Sequence, residues 1–343
     1  GLLRRTQPLY QTRQFLERAD VQPRIMTALR WKGFSLLPAF SIRGTHYGES
    51  QDSEGRISGA NFNRGSREVF VDLVVPSLER VFRRKTLFGE QLKHVIEPRA
   101  SFRHVSGVLD FDRLIRFDET ELVSNTTEAE VSVANRFYAK RKGVVSEVLA
   151  WQVWQRRYFD PTFGGAVAEG GRNVVSSAIG LTPYAFLSGP RDYSPVVSVL
   201  RATPAPGLGI EWRTDYDPLR SQITNSSFTA DGRVGEYFLS VGHNQVRSVS
   251  QLSPNANQFR GAVGVGNPNH RGWNAAFTSV YDFRAGQMQF ATTQVTYNSD
   301  CCGLSVQYRR FSFGTRNENQ FRIAFAVANI GSFGTLKKQE RLF

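Results

Sequence analysis

Cys301 and Cys302 carry the most specific chemistry in this chain, because they are its only two cysteines and they are neighbours. Cα atoms across one trans peptide lie about 3.8 Å apart, short of the ~4.4–6.8 Å a disulfide spans, so the pair does not easily bond to itself. Adjacent thiolates also lack the spacing of a zinc knuckle, and no histidine lies close in sequence. The alternative is two small buried hydrophobes. His46, His94, His104, His243 and His270 are scattered without metal-ligand spacing. No G-x-S-x-G elbow or phosphate-binding glycine loop occurs, and Gly264-Val265-Gly266 reads as a strand fragment. The chain is read as a non-enzyme with no catalytic site, metal or cofactor.

These residues must be positioned by strands, because helical periodicity is almost absent. The 343 residues are 40% hydrophobic and 12% aromatic with a net charge of +13, too apolar for a disordered polycation. No window approaches the ~18 apolar residues of a spanning helix, whereas spanning strands need no such run. Period-two alternation recurs: Leu304, Val306 and Tyr308 oppose Ser305 and Gln307, and Phe321, Ile323 and Phe325 oppose Gln320 and Arg322. Upstream, Ile96, Pro98, Ala100, Phe102 and His104 oppose Glu97, Arg99, Ser101 and Arg103, while Ala129, Val131, Val133 and Phe137 oppose Glu128, Glu130 and Arg136.

Such segments fall near 22–30, 34–47, 67–80, 93–105, 125–140, 146–159, 174–187, 194–203, 207–217, 219–229, 234–245, 258–266, 272–283, 286–298, 302–312 and 319–328. They make roughly 14 to 16 strands of about ten residues, long enough to cross a bilayer. Pro206-Gly207, Asp217-Pro218, Asp231-Gly232 and Asn267-Pro268-Asn269 signal short turns, and Tyr47 to Arg67 and Gly107 to Ser124 read as longer polar loops. No domain boundary is visible.

The same alternation suits a soluble sandwich with its apolar face inward and a membrane barrel with that face toward lipid. Three features favour the barrel. The strands are nearly twice the usual soluble length. Small residues (Ala324, Ala326, Ala328, Gly264, Gly266) occupy the less apolar face. Aromatics gather toward segment ends: Trp151, Tyr158, Phe159, Tyr184, Tyr193, Trp212, Tyr216, Tyr237, Trp273, Tyr281 and Tyr297. The expected fold is all-β, a transmembrane antiparallel up-and-down β-barrel, seen in part.

Specific words in the sequence then carry a resemblance. Tyr297-Asn298-Ser299-Asp300-Cys301-Cys302-Gly303 leads into the strand Leu304 to Arg310 and resembles the paired-cysteine signature of the LptD family, outer-membrane lipopolysaccharide-assembly proteins also called organic solvent tolerance proteins. His94-Val95-Ile96-Glu97-Pro98-Arg99, Phe117-Asp118-Glu119-Thr120 leading to Asn135-Arg136-Phe137, and Tyr158-Phe159-Asp160-Pro161 are similar to further stretches of that family, in order. Asp300 and Gly303 depart from the commonest form of the signature.

The resemblance implies that residues 1–343 are the C-terminal part of a larger barrel, the periplasmic jelly-roll domain lying outside this chain. It implies insertion of lipopolysaccharide into the outer leaflet through a lateral gate, and an integral outer-membrane location. Implied partners are lipopolysaccharide, an LptE-type lipoprotein plug, periplasmic lipopolysaccharide-bridge proteins and the barrel-assembly machinery, with no nucleic acid. It also implies that Cys301 and Cys302 pair with cysteines of the absent N-terminal region. Two alternatives stay open, a passive porin-like channel and a soluble basic all-β protein that binds polyanions.

Two sets of residues are candidates for contact with cargo or for gating. Arg99, Arg103, Arg136, Arg309 and Arg322 share the less apolar face and would meet phosphates from the lumen, unless the charge merely serves a basic rim. Pro23 and Pro38 remove ladder donors inside strand-like runs and are candidate gate prolines or ordinary edge and bulge positions. The terminal Leu342-Phe343 suits recognition by barrel-assembly machinery, and the Gly1 start without a signal pattern reads as a fragment or a processed chain.

Overall fold

The structure is a computed structural model that describes residues 2–3, 16–52, 56–110, 113–115, 118, 120–121, 123–159, 191–247, 255–267, 270–313, 316–327 and 331–335. Its strands are β1 (Leu2–Leu3), β2 (Leu16–Val21), β3 (Arg24–Met26), β4 (Leu29–Trp31), β5 (Phe34–Tyr47), β6 (Phe62–Val74), β7 (Leu78–Phe82), β8 (Gln91–Ser106), β9 (Thr126–Arg141) and β10 (Val144–Tyr158). There follow β11 (Val196–Ala205), β12 (Leu208–Asp217), β13 (Gln222–Val234), β14 (Tyr237–Val246), β15 (Ala256–Val265), β16 (Gly272–Asp282), β17 (Gln287–Asn298), β18 (Cys302–Phe313), β19 (Arg316–Val327) and β20 (Gly331–Gly334). No helix among the described residues is long and apolar enough to cross a membrane.

All pairings are antiparallel, and from β8 to β20 each strand pairs with its neighbours in sequence. Among the described residues no ladder joins β20 back to β1 or β2, so the sheet is an open up-and-down wall, part of a barrel. The longer strands far exceed a soluble average of 5–6 residues: β8 and β9 have 16 each.

Two apparent multiplicities have local causes. β2, β3 and β4 pair with β5 in one unbroken register from Arg18↔Tyr47 to Trp31↔Phe34, so they are one strand interrupted near Pro23 and Thr27. β6 and β7 both pair with β8, and Val75-Pro76-Ser77 inserts one extra residue between them, a bulge built around a proline that cannot donate to the ladder. Tight type I′ turns close two hairpins, where both central residues need positive φ: Lys32 (45°) with Gly33 (87°), and Lys142 (48°) with Gly143 (83°).

The two ends of the wall differ. One end carries the turns 32–33, 142–143, 206–207 and 235–236, the turn 299–301 and the eight-residue connection 83–90. The other carries the connections 48–61, 107–125 and 159–195, together with the shorter 218–221, 247–255 and 283–286. Cys301 and Cys302 lie at the short-turn end.

Burial decides between the two architectures. The face bearing Phe321 (74% exposed), Trp273 (71%) and Ile323 (52%) is bare, while the opposite face shields Gln294 (0%), Gln307 (2%) and Ser305 (3%). A soluble sheet would show the reverse. Burying polar groups and baring greasy ones is the polarity of a strand wall with lipid outside and a hydrated interior.

Strand 174–187, Tyr184, Ala328 and Leu342-Phe343 lie outside the described residues. Several other expectations need correction. Asp231-Gly232 sits inside β13, paired with Ser240 and Leu239, and the turn falls at Gly235-Glu236. β6 starts at Phe62 rather than near 67, because Asn63 and Gly65 face outward opposite His46 and Gly44 and hide the alternation. Gly266 follows β15 instead of lying in it. Tyr158 is 1% exposed and points inward, not into an interfacial girdle. Trp151 and Trp212 lie mid-strand on the bare face, where Ser198 Oγ (2.9 Å) and Ser226 Oγ (3.1 Å) accept their indole N–H bonds, as a lipid-facing donor requires.

Candidate functional site

The shielded wall carries charge in cross-strand ladders. On β6, β8, β9 and β10, side chains two residues apart on paired strands face the same side, which brings arginines against carboxylates. Arg99 donates to both Asp72 oxygens (2.7 and 2.5 Å). Arg103 bridges Glu68 (3.0 Å) and Glu128 (3.6 Å), and Arg156 joins Glu128 (3.6 Å) to Glu130 (2.5 Å). Arg136 joins Glu97 and Glu147, each at 2.8 Å.

The lumen-side arginines read from sequence thus divide. Arg99, Arg103 and Arg136 face inward as expected, but each is held by carboxylates. Arg309 and Arg322 face inward on β18 and β19. Arg309 lies beside the rings of Phe290 and Phe311 (5.6 and 5.7 Å), and Arg322 donates to Gln320 at 2.8 Å.

A second cluster, not anticipated from sequence, forms where loop 107–125 folds onto the shielded face of β2, β5 and β6. Fully buried Glu121 accepts from Arg18 Nη1 (2.7 Å) and from Tyr47 Oη (3.2 Å) through Oε1, and from the Asp118 amide (2.9 Å) through Oε2. Arg18 also pairs with Asp118 at 2.7 Å, and this guanidinium holds the Asp118 carboxyl well below the usual carboxylate range. Arg64 donates to the carbonyls of Glu121 and Val123. Leu114 packs on the stacked rings of Tyr47 and Phe62, 4.9 Å apart. The motif residues Phe117 and Glu119 lie outside the described residues.

Pro23 and Pro38 fall in one seam, between the β2–β4 strand and β5. Ile42 N–H donates to the Pro23 carbonyl (3.2 Å) and Thr27 N–H to the Pro38 carbonyl (3.1 Å), and neither proline returns a bond. Residues 21–34 beside them are all exposed.

At the short-turn end, Ser299 organises the cysteine turn: its N–H and Oγ bond the Cys302 carbonyl (2.7 and 3.1 Å), and its Oγ accepts the Cys302 N–H (3.2 Å). Both thiols are free, and Cys301 is exposed at the tip. Hydrogen bonds from the Cys302 thiol and Ser299 lower the Cys301 pKa, favouring its thiolate. Arg271 and Asp300 pair across this tip at 3.0 Å.

A polar shielded wall, a bare apolar face and unequal ends are now matched by comparison: a family model described as LPS transport system D matches residues 5–268. The chain belongs to the LptD family. Its fold and its role in lipopolysaccharide transport follow from that membership, as does its place in a family of outer-membrane β-barrel proteins. The ion ladders, the Glu121 cluster and the proline seam lie within the matched range, and the cysteine turn lies beyond it. No curated protein matches the chain. Among the described residues no group of three or more His, Cys, Asp or Glu is placed to hold a metal ion.

Proposed function

We propose that this chain is wall of a lipopolysaccharide translocon, integral to the bacterial outer membrane, which delivers lipopolysaccharide to the outer leaflet through a lateral opening between strands. The observation that carries the reading is the inversion of polarity on a wall of LptD-family sequence, with polar side chains shielded and apolar ones bare. A porin shares the inversion but not the family.

Each end has its task. The short turns face the periplasm and the long loops face outward, as in outer-membrane barrels generally. Exposed Cys301, with Cys302, then meets the periplasm, where oxidising conditions let the pair bond to an N-terminal jelly-roll domain and keep the lipid path continuous. Residues 1–343 serve as the C-terminal barrel region of that longer protein. An LptE-type lipoprotein occupies the lumen, periplasmic bridge proteins deliver cargo to the jelly roll, and the barrel-assembly machinery inserts the chain. Among the lumen arginines, Arg309, set beside two aromatic rings, is assigned to cargo phosphates, while Arg99, Arg103 and Arg136 are neutralised by carboxylates. Any parting of strands within this portion is assigned to the seam of Pro23 and Pro38, which lacks two ladder bonds.

Depletion of the full-length protein in cells tests the reading. Newly made lipopolysaccharide should stop reaching the surface, and the purified full-length protein should show no porin-like conductance in planar bilayers. Unchanged surface arrival, or steady ohmic conductance, would overturn it. In the full-length protein, reductant should change gel mobility in a way that substituting both Cys301 and Cys302 by Ser abolishes.

A further inference from the structure

The bare face is charged with one sign. Pairing register places Arg67, Arg80, Arg157 and Arg310, with His46, His94, His104 and His243, on the outward side of their strands. From β5 to β19 the described outward positions hold no Asp or Glu, while acids such as Glu68, Asp72, Glu128 and Asp215 all face inward. Inward Arg99, Arg103 and Arg136 have carboxylate partners; exposed Arg67 and Arg310 have none among the described residues.

Position along the strands sharpens this. Arg67, His104, Arg157 and Arg310 lie in the long-loop half, and Arg80 and His94 in the short-turn half. An arginine on a lipid-facing strand costs about 2–4 kcal/mol at the bilayer midplane and roughly 0–1 near the interface, so these side chains belong at the headgroup level. There an acid of either kind would repel the phosphates that a guanidinium binds with two parallel bonds. Arg67, His104 and Arg157 form one patch. His104 lies diagonally from Arg67 across β6 and β8, and its Nδ1 meets Thr127 Oγ1 of β9 at 2.8 Å. Arg157 follows on β10, three strand spacings across and four residues along from Arg67, roughly 19 Å away. Its guanidinium lies against Phe159 (4.7 Å) and Tyr193 (5.7 Å), which gives the patch flat aromatic faces beside a cation.

We propose that the outward patch of Arg67, His104 and Arg157 is a binding surface for phosphorylated glycolipid headgroups in the outer leaflet. It holds the phosphates of lipid already outside the wall, not cargo in the lumen. The patch rests on the proposed orientation, with long loops outward, and names where the lipid meets the wall after export.

Native mass spectrometry of the full-length protein in non-ionic detergent tests it, with four probes: bisphosphorylated lipid A, the same lipid with both phosphates removed, phosphatidylglycerol and inorganic phosphate. The bisphosphorylated lipid should bind about tenfold more tightly than the dephosphorylated one. R67Q/R157Q should shrink that preference to about twofold, and R80Q, outward but at the other end, should keep it. Heat-modifiable gel mobility confirms that each variant is folded. Equal binding of the dephosphorylated lipid, an undiminished preference in R67Q/R157Q, or the same loss in R80Q would overturn the assignment. Phosphatidylglycerol binding as tightly as lipid A, or full competition by inorganic phosphate at equal concentration, would overturn the glycolipid headgroup as the ligand. Binding is read without transport, so a protein that binds but does not export sinks the proposed function and spares the patch.

Discussion

Glu121 is a carboxylate with no exposure, and its energetics follow from what surrounds it. Arg18 is mostly shielded and donates to the Glu121 carboxylate, so removing that side chain takes a fully buried counter-charge from it. Glu121→Ala is expected to cost about 3 kcal/mol, the range for breaking a buried pair, read as a lower denaturation midpoint of the full-length protein. Loop 107–125 should also become accessible to protease. Asp118 has a different pH signature. Its native pKa lies below the unfolded value of 3.8, so its pairing with Arg18 contributes fully above that value and is lost as pH falls through the depressed native one. Loop protection should therefore be constant from neutral pH down to about 5 and weaken only in strong acid; a midpoint near neutrality would contradict the assignment. Such a cluster could not be read from sequence, because Arg18 and Glu121 are 103 residues apart and only the loop's return path joins them. The paired cysteines were legible since they stand alone. The ladder arginines were legible as inward-facing, and their neutralisation was not, since it depends on register across strands.

At the scale of elements, the seam between the β2–β4 strand and β5 is the place where chemistry and backbone meet. Each proline removes one of the two bonds its pair would exchange, a net loss of about 1 kcal/mol apiece. Pro38→Val should restore an amide that donates to the Thr27 carbonyl, and that amide should exchange measurably more slowly than its exposed surroundings imply. Fast exchange of the restored amide would show that the gap has another cause. Most strands were legible because a wall wet on one face and greasy on the other forces period two. β5 matches the expected 34–47 at both ends. Legibility failed where one residue breaks the period. The bulge at Val75-Pro76-Ser77 splits β6 from β7, and outward Asn63 and Gly65 disguise the start of β6.

For the whole molecule, the decisive property is which way the sheet faces. Alternation alone was symmetric between the soluble and membrane readings, and only burial breaks the tie: Phe321 is 74% exposed while Gln294 is fully shielded. The proposed orientation rests on the asymmetry of the two ends. Single cysteines placed at Ser58 or Gly286, in long-loop-end connections, should react with a membrane-impermeant maleimide on intact cells, and ones at Lys32 or Gly235 should not. Labelling of both sets alike would remove the basis for placing Cys301 in the periplasm. The central claim, apolar face to lipid, is tested most directly by tryptophan quenching. Variants of the full-length protein retaining one tryptophan of this chain would be reconstituted with lipids brominated along the acyl chains. Trp151 and Trp212 on the bare face should be strongly quenched and Trp154 on the shielded face spared; quenching of Trp154 with sparing of the other two would contradict the account.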